Sequence, residues 1–123
     1  MRNAGNWDLK KRTKTFALRV IALVESLPRS RTANVIGNQL LRSGTSVGAN
    51  YRSACRGRST AEFISKMGIV EEEADESLFW MELLVESGIV KASKLKPLME
   101  ETNEIIAITV SSIKTSRKRK NKK

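Results

Sequence analysis

Apolar residues recur at steps of three and four along four stretches of the chain, the spacing of helices that bury one face. In the first stretch Leu9, Phe16, Val20, Leu23 and Leu27 share a stripe, predicting a helix over about 7–27 that begins near Trp7 and is stopped by Pro28. The second stretch predicts a helix over about 33–57, with Ile36, Leu40, Val47, Tyr51 and Ala54 facing inward. The third has the clearest start: Ser59-Thr60-Ala61-Glu62 has the form of a capping box. Phe63, Met67, Val70, Ala74, Met81 and Leu84 then carry a helix over about 60–87, and Gly88 is placed to end it in a left-handed conformation. Ser93 is the expected cap of the fourth helix, about 94–115, where Pro97 falls early enough to be tolerated. Its stripe is Leu95, Leu98, Met99, Thr102, Ile105, Ile106, Thr109 and Ile113.

Four amphipathic helices with short connections predict an all-α fold, an antiparallel up-down-up-down four-helix bundle, in one domain over residues 1–116. Beyond it, "RKRKNKK" (117–123) lacks an apolar anchor and is expected to be a disordered basic tail.

Two details disturb this pattern. Gly44 and Gly48 interrupt the second helix, although an interior glycine costs roughly 0.5–1 kcal/mol relative to alanine. Small residues four apart let a neighbouring helix approach closely, so these two and Cys55, expected to be a buried small residue, read as a tight crossing inside the bundle. Residues 78–85, "LFWMELLV", are apolar nearly all round. Leu78, Met81 and Val85 continue the core stripe, whereas Phe79, Trp80 and Leu83 point away from it and predict an interface with another copy of the chain.

Composition adds charge to this picture. The 123 residues carry a net charge of +10, unevenly spread. Residues 1–58 hold 12 Lys and Arg against 2 acidic residues, 59–104 hold 4 against 11, and 105–123 hold 7 against none. A basic front, an acidic middle and a basic end fit either a polyanion partner or complementary contacts between subunits. Lys10, Lys11 and Lys14 cluster on the polar side of the first helix. Arg42, Arg52 and Arg56 project from the second, with Arg58 at its end, free to hold either the acidic face of the third helix or phosphates. The single cysteine precludes an intrachain disulfide. With no signal-peptide pattern and no apolar run of membrane-spanning length, a cytoplasmic location away from membranes is expected.

The absence of histidine removes Ser-His-Asp and Cys-His catalysis and the Glu-x-x-His motif of di-iron bundles. Glu71, Glu72, Glu73, Asp75 and Glu76 therefore read as a solvated or salt-bridged face. There is no phosphate-binding glycine loop. No enzyme activity, cofactor, catalytic residue or metal ligand is expected.

From about Thr15 to Ser116 the chain resembles one family. The matching elements are the "LP" helix stop, "NQLLRSGTSVGAN", "RSTAEFISKM" and "EEEADESLFWMELL". They are similar to the bacterial four-helix bundle proteins related to the intervening-sequence protein of 23S ribosomal RNA. A relative is the accessory variability protein of diversity-generating retroelements. The resemblance implies a ring-like homopentamer, nucleic-acid binding and docking on a reverse transcriptase or other acidic protein, and it carries no catalytic residues. Ser53-Ala54-Cys55 stands where relatives often have an acidic residue after "GANYR", and the basic tail is this chain's own.

The function expected is phosphate binding on RNA or DNA by a homo-oligomer. Lys10, Lys11, Lys14, Arg42, Arg52, Arg56, Arg58, Arg117, Lys118, Arg119 and Lys120 would supply the charge. The few aromatics are mostly assigned to cores, which leaves no platform for stacking bases. A protein-interaction scaffold is the alternative.

Overall fold

Hydroxyl groups and one glycine set the helix boundaries. The computed structural model describes residues 9–121, so Trp7, in the first predicted helix, lies outside the described residues. Helix α1 spans Leu9–Glu25, α2 Arg31–Cys55, α3 Thr60–Glu86 and α4 Ala92–Asn121. Ser30 and Ser59 are extended and cap α2 and α3; their Oγ atoms accept the Ala33 and Glu62 amides at 3.1 Å. Gly88, at φ +79°, closes α3: its amide donates to the Val85 carbonyl, and that of Ile89 to Leu84. This is the Schellman arrangement, which satisfies the last carbonyls of a helix.

Three boundaries differ from expectation. Before Pro28 the chain leaves α1 two residues early, through tight bonds from the Ser26 and Leu27 amides to Leu23 and Val24. Helix α4 starts at Ala92, with the Lys91 carbonyl accepting the Lys94 and Leu95 amides, so Ser93 lies inside the first turn rather than capping it. At the other end α4 continues through the expected basic tail to Asn121. Lysine and arginine are good helix formers, and cations are favourable at a helix C-terminus.

Each helix packs against its neighbours in sequence, and α1 also packs on α4, while the backbones of the diagonal pairs α1/α3 and α2/α4 stay farther apart. The architecture is an all-α antiparallel four-helix bundle, with no strand among the described residues. Phe16, Leu40, Met67, Met81, Leu84, Leu95 and Ile105 are fully buried on its axis, each contributing roughly 1.5–3 kcal/mol of burial. Thr102 and Thr109 sit among them because their hydroxyls donate to the Leu98 and Ile105 carbonyls at 2.7 Å.

The glycines of α2 are explained by α1. A Cβ on Gly44 would lie 2.9 Å from both methyls of Val20, and one on Gly48 would lie 3.3 Å from the Thr13 carbonyl oxygen. On the opposite flank of α2, the Oγ atoms of Ser43 and Ser77 lie 2.9 Å apart. Small groups thus bring α2 close to both neighbours. Ser77, not Leu78 or Val85, completes the buried stripe of α3; those two are half-buried at its edges. Cys55, expected to be buried, is exposed at the end of α2.

Gly44→Ala gains helix propensity but drives a methyl into Val20, and a destabilisation of about 1–3 kcal/mol is expected. Urea unfolding followed by circular dichroism, at fixed protein concentration, measures it. Adding Val20→Ala should cost less in the Gly44→Ala background than in the wild type.

Candidate nucleic-acid interface

The antiparallel topology gathers the start of α1, the end of α2, the start of α3 and the end of α4 at one end of the bundle. Lys10, Lys11, Lys14, Arg52, Arg56, Arg58, Lys114, Arg117, Lys118, Arg119 and Lys120 converge there. Residues 52–63 and 113–121 contain a single carboxylate, Glu62, whereas beside the start of α1 Glu101 and Glu104 of α4 hold Arg12. None of the converging cations is ion-paired with a carboxylate among the described residues. So many like charges within a few turns of one another raise the local potential and attract anions.

Two concavities lie within this region. Between α1 and α2 a groove of about 690 Å³ has Thr13, Ala17, Gly48 and Ala49 on its surface, rimmed by Lys10, Lys11, Lys14 and Arg52. Where the α2–α3 turn meets the end of α4, a cleft of about 580 Å³ holds Arg58 and Arg119 beside the hydroxyl residues Ser59, Thr60, Ser112, Thr115 and Ser116. Arg117, Lys118 and Lys120 are exposed on the last turns of α4, and Arg56 is exposed at the cap of α2.

Arg42 stands apart from the set. Its guanidinium reaches across to α3, with Nη1 3.4 Å from Glu73 Oε1 and Nη2 on Glu76 Oε2. Ten residues separate it from Arg52, about 15 Å along the helix. The spacing on a helical wheel groups Arg42 with Arg52 and Arg56, but the carboxylates of α3 hold it on a different face. The acidic run of α3 is thereby divided: Glu73 and Glu76 are salt-bridged, and Glu72 and Asp75 are exposed.

Of the three residues expected to form a subunit interface, Phe79 alone is freely presented, at 49% exposure. Trp80 and Leu83 are half-buried against the bundle's own core. The Trp80 Nε1 donates to Glu76 Oε2 at 3.2 Å, and the Phe79 ring meets the Trp80 ring edge-on at 5.1 Å. Leu18, Ile21 and Val35 are also exposed, at 59%, 40% and 57%. Isolated apolar residues on a polar face carry no periodic signal, so nothing in the sequence pattern marks these three.

A second ion-pair cluster went unread for a similar reason. Arg12 donates to both carboxylate oxygens of Glu101, through Nε at 3.1 Å and Nη2 at 2.7 Å, and Nη2 also reaches Glu104 at 2.9 Å. These bonds, to Glu101 first, hold the guanidinium charged above its ordinary range. The partners are 89 and 92 residues apart, so no local spacing reveals them.

The match to known families decides the relationship. Residues 6–111 match the 23S rRNA-intervening sequence protein family. The chain belongs to that family. A crystal structure of an S23 ribosomal protein family member from Bacteroides thetaiotaomicron, itself a protein of unknown function, is 35% identical to the chain. The likeness covers 86% of this chain and 98% of the other, with a TM-score of 0.82. No curated protein matches. In this intervening-sequence family member, no helix among the described residues is long and apolar enough to cross a membrane. The family match and the structural neighbour carry no indication of enzymatic activity.

The Arg12–Glu101 pair ties α1 to α4, the most thinly packed of the neighbouring helix pairs. A double-mutant cycle with Arg12→Ala and Glu101→Ala should give a coupling of about 0.5–1 kcal/mol that falls as salt is added. Chemical unfolding of the four chains measures it.

Proposed function

We propose that the protein is a non-enzymatic, cytoplasmic bundle that assembles into a homopentameric ring and binds RNA or DNA through backbone phosphates. The observation that carries this reading is the end of the bundle, where Arg56, Arg58, Lys114, Arg117, Lys118, Arg119 and Lys120 have no ion-pair partner among the described residues and residues 52–63 and 113–121 hold one carboxylate, Glu62. Phosphate oxygens are the acceptors such a surface suits, and arginine presents donors that match them in pairs. Arg58 and Arg119, together in one cleft with hydroxyl donors, are the best-placed contacts; Arg56, Arg117, Lys118 and Lys120 extend them. Arg42 drops out of the binding set, because Glu73 and Glu76 already use its donors.

The family name adds support, since it ties relatives of this chain to inserted segments of ribosomal RNA. The ring rests on the family resemblance and on the apolar residues presented by α1, α2 and α3. A ring brings several basic ends to one strand, and linked weak contacts raise overall avidity. Among the described residues, the aromatics near the basic end, Tyr51 and Phe63, are half-buried, and Phe63 lines the cleft with Arg58 and Arg119, so binding should depend little on sequence.

Fluorescence anisotropy with labelled RNA and DNA across a salt series tests this reading. If ~6 phosphates of a duplex are neutralised, the log–log salt slope is expected near −5. Replacing Arg117, Lys118, Arg119 and Lys120 by Gln should flatten the slope and weaken binding to both nucleic acids. Arg42→Gln should leave affinity within about twofold, a change of less than ~0.5 kcal/mol. No binding at low salt would reject the proposal, and capture of an acidic protein such as a polymerase in its place would favour the scaffold alternative.

A further inference from the structure

The four long edges of the bundle differ in how their charges are satisfied. On the α2/α3 edge Arg42 is paired with Glu73 and Glu76, and on the α1/α4 edge Arg12 is paired with Glu101 and Glu104. The other two edges keep uncompensated charge of opposite sign. The α1/α2 groove is rimmed by Lys10, Lys11, Lys14 and Arg52 and has no carboxylate among the described residues. Across the bundle, a shallow hollow of about 400 Å³ over Gly68, between α3 and Ile106 of α4, is lined by Glu71, Glu72 and Asp75 and has no cation. Each charged concavity has exposed apolar side chains above it: Leu18 and Ile21 beyond the basic groove, Phe79 beyond the acidic hollow.

The heights of these features along the bundle correspond. Gly44 lies against Val20, and Ser43, the next residue of α2, lies against Ser77, so Val20 and Ser77 sit within about one residue of the same level. Helices α1 and α3 run in the same direction, each rising ~1.5 Å per residue. Six residues below that level come Lys14 on α1 and Glu71 on α3, with Glu72 one residue on. Above it, Ile21 and Phe79 differ in height by only ~2–3 Å. Lys14 and Glu71 therefore share one level on opposite edges and Ile21 and Phe79 another, while the acidic cluster as a whole is centred ~6–8 Å above the lysine cluster.

We infer that these two edges are the halves of one head-to-tail interface, the acidic α3/α4 edge of one copy seated on the basic α1/α2 edge of the next. This rests on the ring reading above and specifies which surfaces mate. A contact between different surfaces repeats from copy to copy, and it closes into a ring when copies are related by rotation alone. Matching heights at one charged and one apolar point fit that condition: rotation about an axis parallel to the helices brings Glu71 level with Lys14, with Glu72 and Asp75 above that level and Lys10 and Lys11 below it. It also sets Phe79 within ~2–3 Å of the level of Ile21. All copies then point the same way, so their basic ends share one face of the ring. Lys10, Lys11, Lys14 and Arg52 are engaged by the neighbour, and the phosphate contacts fall to Arg56, Arg58 and the last turns of α4.

Reversing charge on each edge separately and then on both tests the assignment. Lys10→Glu/Lys11→Glu/Lys14→Glu and Glu71→Lys/Glu72→Lys/Asp75→Lys should each reduce the mass by light scattering towards the 13.8 kDa monomer while keeping wild-type helicity. The chain carrying all six changes should regain the wild-type mass, because the complementarity is restored with its sign inverted. If either triple variant loses its helicity, Phe79→Ser decides, with a reduced mass expected. An oligomeric wild type with unchanged mass in folded triple variants, or in Phe79→Ser, overturns this interface and leaves the ring standing. Failure of the six-change chain to reassemble when both triple variants are folded monomers overturns it as well. A monomeric wild type overturns the ring and the interface together, whereas loss of RNA binding by an intact ring bears on the phosphate reading alone.

Discussion

The close approach of α2 to both neighbours is the constraint on which the other features depend. Val20 occupies the space a side chain on Gly44 would need, and the hydroxyls of Ser43 and Ser77 meet on the opposite flank. These contacts admit almost no sliding, because a shift of one residue, ~1.5 Å, would push Val20 into a neighbouring side chain of α2. They fix the relative heights of α1, α2 and α3, and height determines which charges can meet. Arg42 arrives level with Glu73 and Glu76, and through the same frame Arg12 reaches Glu101 and Glu104 from α1 to α4. Cations that arrive at the end of the bundle, or on the α1/α2 edge, find no carboxylate among the described residues. The basic surface is therefore a product of core register as much as of composition.

The fold was legible in the sequence because its signals are local and periodic. Three- and four-residue apolar steps gave the helices and nearly the whole core, and Ser59 starts α3 and Gly88 closes it as their chemistry requires. What went unread depended on partners distant in the chain. Ser77 belongs in the core only because Ser43 faces it, and hydropathy alone favours Leu78. Trp80 turns back against the bundle where its indole can reach Glu76, so the greasy segment of α3 presents mainly Phe79. The basic run after Ser116 lacks an apolar stripe, yet it continues α4 because its residues favour a helix and suit its C-terminal dipole. The candidate site was half legible. Its cations were identifiable as residue types, but removing Arg42 and joining Arg58 to Arg119 required the tertiary structure.

Charge is partitioned by region. Two edges are neutralised within the chain, two are left with opposite sign, and one end is left strongly positive. A protein that needed only solubility would gain from interspersed charges of both signs. Segregation of this kind suits a molecule whose contacts with its own copies and with a polyanion occupy separate surfaces. On this account assembly and phosphate binding reinforce each other without competing for the same side chains.

Lysine-reactivity footprinting by mass spectrometry, on the assembled protein with and without RNA, tests that division most directly. The account predicts that RNA protects Lys114, Lys118 and Lys120, while Lys10, Lys11 and Lys14 react slowly even before RNA is added and Lys91, Lys94 and Lys96 at the far end stay reactive throughout. Protection centred on Lys91, Lys94 and Lys96, or fully reactive Lys10, Lys11 and Lys14 in the assembled protein, would contradict it.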